Sequence, residues 1–143
     1  PENKSKEQKP EITTTTNIRD QSALTFTLEF ERKISEEVGE LTQNLKADEN
    51  KSISQYRQEV FEIQQKFILA TNTQEINPDI LINIAKELTK INPPSILYSL
   101  HLELITTYYK LGSALKEYQT ITDPQKKILL YNIIKATLEK IKF

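Results

Sequence analysis

Apolar residues recur every three or four positions along most of this chain, the period of a helix with one buried face. From about Ile18 to Lys46 the stripe runs through Phe26, Phe30, Ile34, Val38, Leu41 and Leu45. Leu24, Phe26, Leu28 and Phe30 also alternate as a strand would, but the three–four spacing continues unbroken, so one long helix is expected. Gly39 inside it points to a close helix contact, because glycine otherwise costs about 1 kcal/mol there against alanine. The polar Ala47–Lys51 stretch reads as a loop. A second helix, about Ser52 to Ala70, carries Ile53, Tyr56, Val60, Ile63 and Phe67 on its stripe. Residues 71–76 connect it to a third.

Helix starts are marked by capping chemistry. Asn77-Pro78-Asp79 supplies a capping side chain, a first-turn proline and an acid at the positive end of the helix dipole. The third helix then places Ile80, Ile84, Leu88 and Ile91 on one face. Asn92-Pro93-Pro94-Ser95 breaks it and opens a fourth, about Ser95 to Gln119. Its stripe is Leu97, His101, Leu104, Tyr108, Leu111, Leu115 and Tyr118, and a second line, Tyr98, Leu102, Ile105, Tyr109 and Gly112, lies beside it. An apolar arc that wide marks the central helix of a bundle, with Gly112 letting a neighbour approach closely. Thr122-Asp123-Pro124-Gln125 starts the last helix, through an Asp123 cap or a Thr122–Gln125 capping box, and Leu130, Ile134, Leu138 and Ile141 follow. Short loops between these segments predict an all-α fold, an antiparallel bundle of four or five helices over 18–143.

Residues 1–17 differ. PENKSKEQKPEITTTT mixes prolines, alternating charges and a threonine run, with Ile12 its only large apolar residue. It cannot bury enough to offset its ordering entropy, so a disordered tail is expected, either a plain disordered end or a spacer between an N-terminal anchor and the domain. The chain has no methionine, which fits a start downstream of an initiator and an export or anchor segment before residue 1.

Composition narrows the function classes more than it selects one. The net charge is −1 with 27% charged residues, which gives no basic excess for a general nucleic-acid binder. No apolar run reaches the roughly 20 residues of a membrane span, so membrane attachment would come only through the upstream anchor. The absence of cysteine removes disulfides, thiolate metal sites and cysteine nucleophiles. Two glycines in the chain leave no phosphate loop, dinucleotide fingerprint or nucleophile elbow. No cofactor, metal or catalytic residue is expected, and the chain reads as a non-enzyme.

The remaining candidates lie on the fourth helix. His101 is the only histidine, and it sits on the apolar stripe with no second ligand or proton partner at helical spacing. A buried histidine bonded to a neighbouring backbone or side chain is the favoured reading, with pH-sensitive packing next. Four of the six tyrosines, Tyr98, Tyr108, Tyr109 and Tyr118, share that helix, and Tyr131 follows on the last. Core and rim packing explains them first; a peptide or small-ligand groove is the alternative. Charge is also polarised. Residues 29–49 hold seven acids and three bases, whereas 124–143 hold five lysines and one acid. These ends could attract each other, although solvated helix faces are the simpler reading.

Ser54-Gln55-Tyr56, Pro93-Pro94, Leu100-His101-Leu102 and Thr122-Asp123-Pro124 are similar in layout to uncharacterised envelope-anchored helical proteins of candidate-phylum (Patescibacteria) bacteria. The resemblance covers about the last 90 residues. It implies an exported domain tethered to the envelope on its extracytoplasmic side, with Pro94, His101, Asp123 and Pro124 as family-like positions and no catalytic roles. The expected function is therefore a tethered helical module that binds a protein partner or assembles in the envelope. The alternative is a ligand- or peptide-binding bundle, which could equally be cytoplasmic.

Overall fold

The computed structural model describes the backbone of residues 2–71 and 77–141, with side chains placed for residues 21–69 and 77–141. The order is α1 (Glu2–Leu41), α2 (Ile53–Thr71), α3 (Pro78–Leu88), a 3-10 turn (Ser95–Leu97), α4 (Tyr98–Thr120) and α5 (Pro124–Lys140). No strand occurs among the described residues. Over the described residues the protein is an all-α bundle of five helices.

The caps are those the sequence specifies. The Asn77 side chain accepts the Asp79 backbone N–H at 2.9 Å, and Asp123 accepts that of Gln125 at 3.0 Å. Asp123 rather than Thr122 is therefore the cap of α5, with Pro124 in its first turn. Pro93 and Pro94 are buried, and the Asp48 N–H donates to the Pro93 carbonyl at 2.8 Å, which pins the loop after α1 to the start of α4.

The core forms around α4, on which Ile105, Tyr108, Leu111 and Ala114 are fully enclosed. Cross-helix pairs fix the directions. Glu31 meets Lys110 and the Leu45 carbonyl meets Tyr98, so α1 runs antiparallel to α4. Leu88 pairs with His101 and Asp79 with Lys116, so α3 is antiparallel as well. The short turn into α5 makes a third antiparallel neighbour, packed along α4. Tyr56 with His101 and Phe67 with Tyr108 show α2 running parallel to α4, and α2 packs chiefly on α3.

Several local expectations need adjusting. Helical backbone in α1 begins at Glu2, ahead of Ile18, and the side chains expected to form the tail lie outside the described residues. The packed part of α1 is the part bearing the apolar stripe, from Phe26 onward. α1 ends at Leu41 instead of Lys46: beyond it the chain tightens into turns, with the Gln43 N–H donating to the Glu40 carbonyl and the Leu45 N–H to the Thr42 carbonyl. Leu45 still reaches the core from that turn. The apparent strand alternation over 24–30 is two helix faces seen in sequence: Phe26 and Phe30 point inward, while Leu24 and Leu28 are exposed. Residues 71–76 fall mostly outside the described residues.

The two glycines differ in role. A Cβ at Gly112 would sit 2.8 Å from both the Ile82 side chain and the Pro78 carbonyl, so this glycine is what lets α3 lie against α4. Gly39 meets nothing within 4 Å, so the expected close contact is absent there. Gly112→Ala should destabilise the fold by about 1–3 kcal/mol through overpacking. Gly39→Ala should stabilise it by up to about 1 kcal/mol through helix propensity alone. Urea denaturation of the two variants checks both signs.

Candidate functional site

His101 has no exposed surface and sits where α2, α3 and α4 converge. Its Nε2 lies 2.8 Å from the Leu88 carbonyl oxygen and its Nδ1 lies 2.8 Å from the Tyr56 hydroxyl. A carbonyl can only accept, so Nε2 carries the proton. Nδ1 is then the acceptor for the Tyr56 O–H. Leu88 is the last residue of α3, and its carbonyl is one of the orphan acceptors at a helix C-terminus. It receives the Ile91 N–H at 3.1 Å and the His101 ring together. The Tyr56 and His101 rings meet edge to face with centroids 5.4 Å apart.

Beside this group lies an ion pair. The Lys51 side chain is only 9% exposed and its ammonium is 2.7 Å from a Glu59 carboxylate oxygen. Burial lowers the pKa of the His101 ring below its ordinary value; the Leu88 bond opposes that shift, and the Lys51 charge adds to it. The ring is therefore held neutral. Burial likewise pushes the Tyr56 hydroxyl up to about 12. With both nitrogens committed and no surface exposed, His101 is a cross-brace between three helices rather than a group facing a substrate.

The four tyrosines of α4 do not converge on one groove. Tyr108 is fully enclosed, edge to face with Phe67 at 5.6 Å, and its hydroxyl has no partner in bonding geometry among the described residues. Burial pushes that hydroxyl up to about 12, with the Gln64 side chain pulling the other way. Tyr109 turns towards α1 and donates to Glu37 at 3.0 Å; burial first, then the Glu37 bond and the Glu37 and Glu40 charges, push it up to about 12. Tyr98 is half-buried and reaches the Leu45 carbonyl at 3.4 Å. Tyr118 is half-buried on the α5 side, under the Lys127 ammonium at 4.6 Å from its ring.

The charge asymmetry does not close into a salt-bridge seam. Among the described residues no ion pair joins α1 to α5. Lys126 instead lies over the Phe26 ring at 5.7 Å, beside a cleft of about 300 Å³ between the two helices. A second, shallow cleft of about 530 Å³ runs along α2 past Tyr56, Arg57 and Phe61. No cluster of three potential metal ligands occurs among the described residues, and no helix among them is long and apolar enough to cross a membrane.

Tyr56, Lys51 and Glu59 are the members of this centre that sequence reasoning did not single out. The available signal was Tyr56, a polar-tipped residue on the stripe of α2 that could answer His101 on the stripe of α4. The Lys51–Glu59 pair spans a loop and two helical turns and leaves no periodic trace. In comparisons with known proteins, the chain matches no family model, no curated protein and no solved structure.

Removing the Tyr56 hydroxyl leaves the buried Nδ1 without a donor, so Tyr56→Phe should cost about 1–3 kcal/mol. Tyr108→Phe removes a hydroxyl that makes no well-formed hydrogen bond among the described residues, and should cost little or stabilise slightly. Paired thermal melts distinguish the two outcomes.

Proposed function

We propose that this chain is a non-enzymatic helical interaction module that docks a partner protein through the outer face of α5. The observation that carries this reading is that α5 stays apolar beyond the face it gives to the core. Leu130, Ile134 and Thr137 enter the core, whereas Ile128, Tyr131 and Leu138 stand 61%, 56% and 38% exposed. At 100° per residue the exposed three fall within one stripe about 80° wide. Apolar residues aligned on the outside of a bundle helix mark an interaction surface more often than scattered single ones do.

Lys135 lies in the same stripe and makes no ion pair among the described residues. The partner this face suits is an amphipathic helix whose apolar stripe carries a carboxylate, the groove-and-ridge mode of helix recognition. The enclosure of the one histidine supports the non-enzymatic part of the reading. Tethering on the extracytoplasmic side of the envelope belongs to the same proposal; its support is the polar character of residues 1–17 and the resemblance of layout described above.

The test is site-specific photocrosslinking in the source cells. A benzophenone side chain at Tyr131 should give a discrete adduct recovered with the envelope fraction, and the same group at Gln65, exposed on α2, should not. Ile128→Glu should abolish the adduct without lowering the melting temperature. No adduct at position 131, or equal adducts at both positions, would overturn the docking face.

A further inference from the structure

We infer that His101 is an acid-operated latch on α2: a second proton on the enclosed ring, between Tyr56 and the Leu88 carbonyl, releases α2 from the α3–α4 pair. The bonding pattern leaves that proton no good place. Nε2 already donates to Leu88, so the new proton must go to Nδ1, whose lone pair takes the Tyr56 O–H at 2.8 Å. Tyr56 must then reverse from donor to acceptor and find another home for its own hydrogen inside the core.

The charge is equally unsupported. The titratable groups that face the ring are Tyr56 from α2 and Lys51 from the loop before it. Lys51 repels an imidazolium, and the acid that α2 brings to this region, Glu59, is already paired with Lys51. From α3 comes only the Leu88 carbonyl, and Glu87 beside it is turned out to Lys66 at 2.6 Å. Along the chain itself the residues one turn away, Leu97 in the 3-10 turn and Tyr98, Leu104 and Ile105 on α4, bring no charge.

The helix that yields is α2. It packs chiefly on α3, and among the described residues it meets α4 through the aromatic pairs Tyr56–His101 and Phe67–Tyr108, with Gln64 beside the Tyr108 hydroxyl. Opening α2 wets the ring and returns it to an ordinary value of about 6.5. The ring in the closed bundle has a depressed pKa. Its stabilising contribution is therefore complete above about pH 6.5 and is lost as pH falls from there towards the depressed value, because the open form binds the extra proton first. In that window opening becomes about tenfold more favourable per pH unit.

Hydrogen exchange read by mass spectrometry on the whole chain at pH 7.5 and 5.5, corrected for intrinsic rates, tests this. Opening of α2 (Ile53–Thr71) should rise, by up to about tenfold, while α5 (Pro124–Lys140) changes little. In His101→Gln, which keeps one donor and one acceptor and does not titrate, the rise should vanish. Unchanged protection of α2, an equal loss in α5, or the same rise in the glutamine variant would overturn the latch. If the variant does not fold, the imidazole titration of the wild-type protein decides by NMR, since there is only one histidine. A midpoint below about 6.5 sustains the latch and one at or above it overturns it.

Discussion

A neutral imidazole enclosed between a hydroxyl and a helix-terminal carbonyl is the constraint on which this bundle turns. Burying a polar ring is unfavourable unless both nitrogens are satisfied. Satisfying them fixes the relative position of three helices at once. Nε2 needs the C-terminal carbonyl of α3, Nδ1 needs the tip of Tyr56 on α2, and the ring itself stands on α4. Apolar packing drives the helices together but tolerates sliding and repacking, whereas two bonds of 2.8 Å to one rigid ring do not. The near-contact of α3 with α4 at Gly112 pins the other end of the same helix pair.

Much of the fold is legible in the sequence because it depends on local rules. Asn77 and Asp123 announce their helices through capping, and the breadth of the apolar arc on α4 announces its central place. Legibility falls where tertiary geometry decides. The chain tightens into turns after Leu41, although the hydrophobic period runs on to Leu45. Gly39 and Gly112 look alike in sequence and only the packed structure shows that one faces a neighbouring backbone and the other open space. His101 is readable as a buried, bonded histidine from its place on the stripe. Its partners are not, because Tyr56 is 45 residues away and Leu88 contributes a backbone atom. The tyrosines of α4 illustrate the same limit: equal composition along one helix leads to four separate environments once neighbours are set.

The proposed interaction face and the core bridge occupy opposite parts of the logic of the fold. α1 and α5 flank α4 without contributing to the His101 centre, and α5 keeps an outward apolar stripe that the bundle does not use. α2 and α3 carry the polar centre. A module arranged in this way can hold a partner on α5 while α2 responds to acidity, and the two properties are separable because no bond recorded for His101 reaches α5.

The most direct measurement of the central claim is the tautomer of His101 in the folded protein at pH 7.5, from two-bond nitrogen–proton correlations of the imidazole. A neutral ring protonated at Nε2, with an Nε2–H that exchanges slowly with water, is the result that the Leu88 and Tyr56 bonds require. A ring averaging between tautomers, or one protonated at Nδ1, would contradict the bridge between the three helices.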